Sequence, residues 1–211
     1  MTDRSPPSEL HRLLRQATRL PHHSLDHHPV LMPLLRSDLS AVQYGDALAA
    51  LHDIYAQAET WVLGFLAQDS GLFDYRSRRK LPALDADLAA LRRTPVRRLT
   101  NFSASPTLGA LIGILYTLEG STLGGQFIAR NLIQLPRPSL PMQFFTGYRD
   151  LTRQRWEEFL QFADTACPIG EYEEAAANAV SLFGTLKTHL DMARRANPSF
   201  DNRLNASPRR V

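Results

Sequence analysis

Cysteine is almost absent from this sequence. Cys167 is the one thiol among 211 residues, which excludes an intrachain disulfide framework and suits a reducing cytoplasm. Long apolar runs are absent as well. The richest, around Leu108 to Leu118, is shorter than a membrane span and is interrupted by Gly109, Gly113 and Thr117, so no membrane partner is expected. The opening MTDRSPPSELHRLL lacks the apolar stretch of a secretory signal. No alternating run is long enough for a sheet, and neither zinc-finger spacing nor an RNA-binding consensus with interleaved aromatics occurs.

What is present points to one helical body. At 44% hydrophobic the chain can bury a substantial core. The formal net charge is +3, with much of the excess in Arg78, Arg79, Arg92, Arg93, Arg97, Arg98, Arg194, Arg195, Arg209 and Arg210. Such a surface attracts a small anionic ligand as readily as nucleic acid. Without a nucleic-acid motif, no nucleic-acid partner is expected.

Apolar positions recur at helical spacing nearly throughout. Ser8 is placed to cap a first helix through Leu10, Leu13, Leu14, Ala17 and Thr18 toward Leu25, before Pro29 and Pro33 break the chain. Ser37 or Asp38 should open a long helix carrying Leu48, Leu51, Ile54, Tyr55, Trp61 and Leu66. A shorter helix over about Pro82 to Leu91 ends at Thr94-Pro95. Further helices are predicted over about Pro106 to Leu132, Met142 to Ala163 and Tyr172 to Ala193, with LPRPSLP as the break between the first two. The polar tail from Asn197 should be frayed or disordered. The expectation is an all-α, single-domain chain: flexible residues 1–7, a helical domain over 8–196 and a disordered tail over 197–211.

Glycine is unevenly placed. In LYTLEGSTLGGQFIARNL, Leu115 to Leu132, Gly120, Gly124 and Gly125 crowd into a turn and a half of predicted helix, with Ser121 and Thr122 among them. Each glycine inside a helix costs about 1 kcal/mol against alanine. Another helix packing closely on the small residues would offset that cost.

The first helix ends in four histidines, His22, His23, His27 and His28. Only His23 and His27 have the i, i+4 spacing of a shared face, and no acidic residue of the zinc-protease pattern joins them. A solvated, histidine-rich helix end is the plain reading. His22 differs in the stripe it shares, because Arg15, Thr18, His22 and Leu25 follow at steps of three and four. Arg15 lies about 10 Å before His22 at 1.5 Å per residue. A planar macrocycle held through its metal at His22 could therefore bring a carboxylate to Arg15, and neutral imidazole is a good axial ligand for haem iron. Pro21 should loosen or kink the helix just before that ligand.

Together these stretches resemble the haem oxygenase family, most closely the bacterial branch whose members often accompany bacteriophytochromes. The family's first-helix pattern reads here as Leu14, Ala17, Thr18 and His22. Its distal-helix pattern reads as Gly120-Ser121-Thr122-Leu123-Gly124-Gly125-Gln126. LHDIYAQAE (Leu51 to Glu59) and FFTGYRDLTRQRWEEF (Phe144 to Phe159) resemble the segments between and after them, so the similarity runs from about Ser8 to Leu190.

The resemblance implies an all-α fold with haem between a proximal helix bearing His22, the metal ligand, and a distal helix bending at Gly120 to Gly125. It implies cleavage of haem with O2 and reducing electrons to biliverdin, CO and iron. Haem is then both substrate and oxygen-activating cofactor, an external donor such as ferredoxin or a flavin reductase supplies electrons, and a bacteriophytochrome can accept the biliverdin. The alternative is an inactive haem-binding sensor or carrier of the same fold. By the same resemblance Gly120, Ser121, Gly124 and Tyr55 serve the distal, catalytic face. Arg15, Thr18, Tyr116, Gly125, Arg149 and Arg153 bind the cofactor, and Phe183 and Lys187 flank it. In mammalian members an aspartate follows the first distal glycine. Here that position is Ser121, whose hydroxyl can hold a water but carries no charge. Arg149 and Arg153, four apart, are expected to share a helical face and reach one haem rim.

Overall fold

Ser8 opens the first helix, α1 (Glu9–Asp26), its side-chain oxygen accepting a hydrogen bond from the His11 backbone N–H at 3.1 Å. This computed structural model describes residues 6–69, 71–96, 100–135 and 140–196. The expected disordered tail over 197–211, Met1 to Ser5, and the arginines at 97, 98, 209 and 210 lie outside them. Leu10, Leu14, Thr18 and Leu25 form the buried face of α1. The helix runs unbroken through Pro21, against the expected loosening. That face holds turns on both sides of the proline against the body, and tertiary packing overrides the local preference.

The second helix, α2 (Ala41–Leu66), begins later than Ser37 or Asp38 would place it. Ser40 and Gln43 form a reciprocal capping box, with Gln43 N–H donating to Ser40 Oγ at 3.1 Å and Ser40 N–H donating to Gln43 Oε1 at 2.9 Å. Asp38 is no cap because its carboxylate receives Arg36 at 2.8 and 2.7 Å. There follow α3 (Leu81–Ala90), α4 (Leu108–Ile133), α5 (Gln143–Thr146), α6 (Thr152–Ala166) and α7 (Tyr172–Ala196). No described residue lies in a strand. No described helix is long and apolar enough to cross a membrane.

The single helix expected over Met142 to Ala163 is two helices. Asp87 of α3 accepts the backbone N–H groups of Gln143 and Phe144 at 3.0 and 2.9 Å, which starts α5. Gly147, at φ +49°, then turns the chain out of the helix while its N–H returns to the Gln143 and Phe144 carbonyls. A 3-10 turn, Arg149–Leu151, precedes α6.

Both α1 and α4 pack along α7. For α1 the order of contacts on α7 is His22 to Phe183 and then His28, just past the end of the helix, to Asp191, while Ser8 at its start reaches Asp164 of α6. For α4 it is Gly109 to Glu171, then Gly113 to Ala175. The two helices therefore run the same way, side by side on one support. Gly113 allows the crossing, since a Cβ there would stand 2.1 Å from the Ala175 carbonyl oxygen.

Two buried histidines sit where α7 meets α2 and the end of α1. His189 is fully buried, its Nδ1 3.5 Å from the Thr100 hydroxyl and 3.9 Å from Asp53, while its Nε2 has no hydrogen-bond partner among the described residues. His28 accepts the Val30 N–H at Nδ1 and faces Asp191 at 3.1 Å, with Lys187 and Arg194 nearby. Burial, opposed by Asp53 in one case and Asp191 in the other, holds both below the ordinary 6.5. The unfolded chain thus binds protons first. Stability contributed by the neutral rings is fully present above 6.5 and is lost as the pH falls through the lowered folded values. The melting temperature should therefore drop between about pH 7 and pH 5, and His189→Leu should flatten that drop. An unchanged slope in the variant would refute the assignment.

Candidate functional site

Although α1 and α4 share α7 as a support, they scarcely touch each other. Their stripes meet at one level, where Tyr116 of α4 reaches the Thr18 hydroxyl. Thr18 is buried and also donates to the Leu14 carbonyl at 2.8 Å. Burial raises the Tyr116 phenol, against the Thr18 hydroxyl and the Arg15 charge, which both lower it. Arg15, Thr18 and Tyr116 are thus brought together.

One turn further along each helix stand His22 and Gly120. The His22 ring is 59% exposed, lies 5.9 Å from the Phe183 ring, and places Nδ1 2.9 Å from the Asp26 carboxylate. Nε2 is left as the available ligand atom. Lys187 donates to Asp191 at 2.7 Å.

The three clustered glycines of α4, Gly120, Gly124 and Gly125, meet three different surroundings. A Cβ on Gly120 would face the Trp156 ring at 3.6 Å, and one on Gly124 would meet nothing within 4 Å. At Gly125 a Cβ would press on the Phe145 carbonyl oxygen at 3.0 Å. Gly125 is therefore required by the close approach of α5, on a different face from the open side at Gly124. Beside that open side Leu123 and Phe127 are exposed, as is Leu20 on α1.

Behind Gly120, Tyr55 of α2 is buried, edge-on to Phe144, and meets the Ser121 hydroxyl. Burial pushes its phenol up to about 12 against the lowering effect of Ser121, with Glu59 adding to the rise, so it is a neutral donor at physiological pH. Ser121 Oγ donates to the Leu118 carbonyl at 2.7 Å.

Arg149 and Arg153 do not share a helical face. Arg149 sits at φ +53° in the 3-10 turn ahead of α6, and exposed Arg153 pairs with Glu157 at 2.8 Å.

Three participants were missed in the sequence. His11 and Trp156 pack around Tyr116 with their rings tilted or edge-on, His11–Tyr116 at 6.4 Å, His11–Trp156 at 6.0 Å and Tyr116–Trp156 at 5.5 Å, and Trp156 lies against Gly120. Glu119, wholly buried, binds Arg78, Lys80 and Tyr148. A lone acid inside the apolar stretch before Gly120 was the available signal for it.

A family model described as Heme oxygenase matches residues 8–186. Among solved structures, the NO- and CO-bound heme oxygenase of Neisseria meningitidis is similar, at 19% identity and a TM-score of 0.70 over 86% of this chain and 90% of that one. Heme oxygenase-1 of the cyanobacterium Synechocystis, solved in complex with heme, is similar at 16% identity and a TM-score of 0.68, over 93% and 96%. No curated protein sequence matches significantly.

Proposed function

This chain belongs to the haem oxygenase family, and from that premise we propose that it degrades haem with O2 and reducing electrons to biliverdin, CO and iron. The observation that carries the reading is the exposed His22 ring, oriented through Nδ1 by Asp26, standing beside a helix whose Gly124 side is open. The residues fit haem. A carboxylate on Nδ1 fixes the tautomer and leaves a basic Nε2 for iron. Bare backbone at Gly124, with exposed Leu123 and Phe127 beside it on the same helix, suits a large flat apolar ligand. Arg15 supplies a cation for one propionate. The bound haem supplies oxygen activation. Neutral Tyr55, with Ser121, holds a proton donor at the distal face.

The electron donor in this reading is a ferredoxin or a flavin reductase, the setting is the cytoplasm, and a bacteriophytochrome is the acceptor of biliverdin. One observation favours a second reading, a haem-binding sensor or carrier without turnover. No carboxylate follows Gly120, and the Ser121 hydroxyl is already donated to a backbone carbonyl.

The test is to mix the protein with stoichiometric hemin, add reductant, catalase and air, and follow the visible spectrum. A Soret band that decays into the far-red absorption of biliverdin, with CO trapped, is expected. A Soret band that persists despite a competent electron donor would favour the sensor. No Soret band would refute both.

A further inference from the structure

The face of α4 opposite its open side carries a buried charge cluster to which the chemistry above assigns no role. Glu119 precedes Gly120 in the chain and is wholly buried. One carboxylate oxygen receives Lys80 Nζ, and the Tyr148 hydroxyl lies 2.8 and 3.1 Å from the two oxygens. The other oxygen receives Arg78 Nη1 at 3.0 Å. Arg78 continues to α6, donating to Glu158 at 2.6 Å and to the Arg155 carbonyl at 2.9 Å. The Lys80 backbone N–H donates to Glu59 of α2 at 2.5 Å, and Glu59 also receives Tyr75 at 3.3 Å and Arg79 at 3.1 Å. Glu119, Glu59 and Glu158 thus face Arg78, Arg79 and Lys80, with Arg155 a fourth cation 3.9 Å from Glu158.

A cluster of this kind adds little net stability over apolar packing of the same volume, but its directional bonds fix one rotation and one register. That matters here because α4 is barely held by α1. The distance between Gly124 and the His22 side is set by α7, on which both helices rest, and by what grips the rest of α4. Beyond the glycines Gln126 donates to the Thr146 carbonyl at 2.6 Å and to Thr152 Oγ1 at 3.1 Å. Before them stands Glu119, the one charged grip among the described residues and the one beside Gly120.

We propose that Glu119 is a positioning residue that sets the height of the distal backbone over the haem, an inference that rests on the haem-binding reading above. Through that height it governs which meso carbon is cut and the environment of water on the ferric iron.

The test uses the full chain reconstituted with hemin, comparing wild type, Glu119→Gln, Tyr148→Phe and Leu39→Ala, a core truncation away from the cluster. Each is measured well below its own melting temperature. Glu119→Gln should alter the ferric-haem spectrum and the pH midpoint of its acid–alkaline transition. It should also shift the ratio of biliverdin isomers by about twofold to thirtyfold, the range for residues that act without touching the ligand. Tyr148→Phe should move the same readouts in the same direction by less, and Leu39→Ala should leave them at wild-type values.

A Glu119→Gln protein with wild-type spectrum, midpoint and isomer ratio would overturn the proposal, however much its stability fell. If that variant does not fold, Tyr148→Phe decides by the same criterion. A Leu39→Ala protein that shifts as far as Glu119→Gln would also overturn it, since core loss alone would then suffice. If wild type binds no hemin, the haem-binding reading itself falls, and this is seen before any variant is compared.

Discussion

Replacing His22 by alanine is expected to remove the normal axial ligation of haem and lower turnover by at least about 100-fold. Loss of a residue that only hydrogen-bonds a metal-ligating side chain costs roughly 10–100-fold in metal affinity, and loss of the ligand costs more. The protein itself should not suffer. The ring is mostly exposed, its one polar partner, Asp26, lies four residues on in the same helix, and alanine is the better helix former. Melting of the unliganded protein should stay within about 0.5 kcal/mol of wild type, as for surface substitutions generally. Added imidazole should restore part of the Soret intensity by occupying the vacated position. Asp26→Ala should give a milder version, with the ring present but its tautomer and orientation free. An unchanged spectrum in His22→Ala would move the ligand to His23, whose ring lies 4.2 Å from that of His27.

The sequence made α1 and the proximal stripe legible because their determinants are local. Ser8 caps three residues away, and Thr18 and His22 share a face by spacing alone. The elements that were misjudged depend on partners far along the chain. The start of α5 is fixed by Asp87, 56 residues before Gln143, and the break at Gly147 divides what periodicity alone joins into one helix. That break is why Arg149 and Arg153 do not sit on one face. Glu119 was hidden for the same reason. Its partners, Arg78 and Lys80, belong to an arginine-rich run that resembles a solvated basic stretch until the fold carries it inside. The glycine stretch was legible as a signal but not in its parts. Spacing cannot tell a glycine that admits Phe145 from one that faces open space.

That division among the glycines makes a paired substitution informative. Leucine at Gly124 enters a side where nothing stands within 4 Å of a new Cβ, and it removes a glycine from a helix interior. The unliganded protein should be stabilised by up to about 1 kcal/mol and melt higher. Leucine at Gly125 meets the Phe145 carbonyl at 3.0 Å and should destabilise by about 1–3 kcal/mol, the cost of overpacking. Hemin should report the reverse order. At Gly124 the new side chain occupies the space in which the ligand must lie, so affinity should fall about tenfold to a hundredfold, the equivalent of the same overpacking cost. At Gly125, well below the melting temperature, affinity should change far less. A melting curve and a hemin titration on the two variants measure both signs. Should Gly124→Leu bind hemin as wild type does, the open side of α4 is not the haem face, and helix packing would account for Gly125 but not for Gly124. The pairing guards against a trivial result, because general damage to the fold lowers stability and affinity together, whereas steric exclusion at Gly124 raises one and lowers the other.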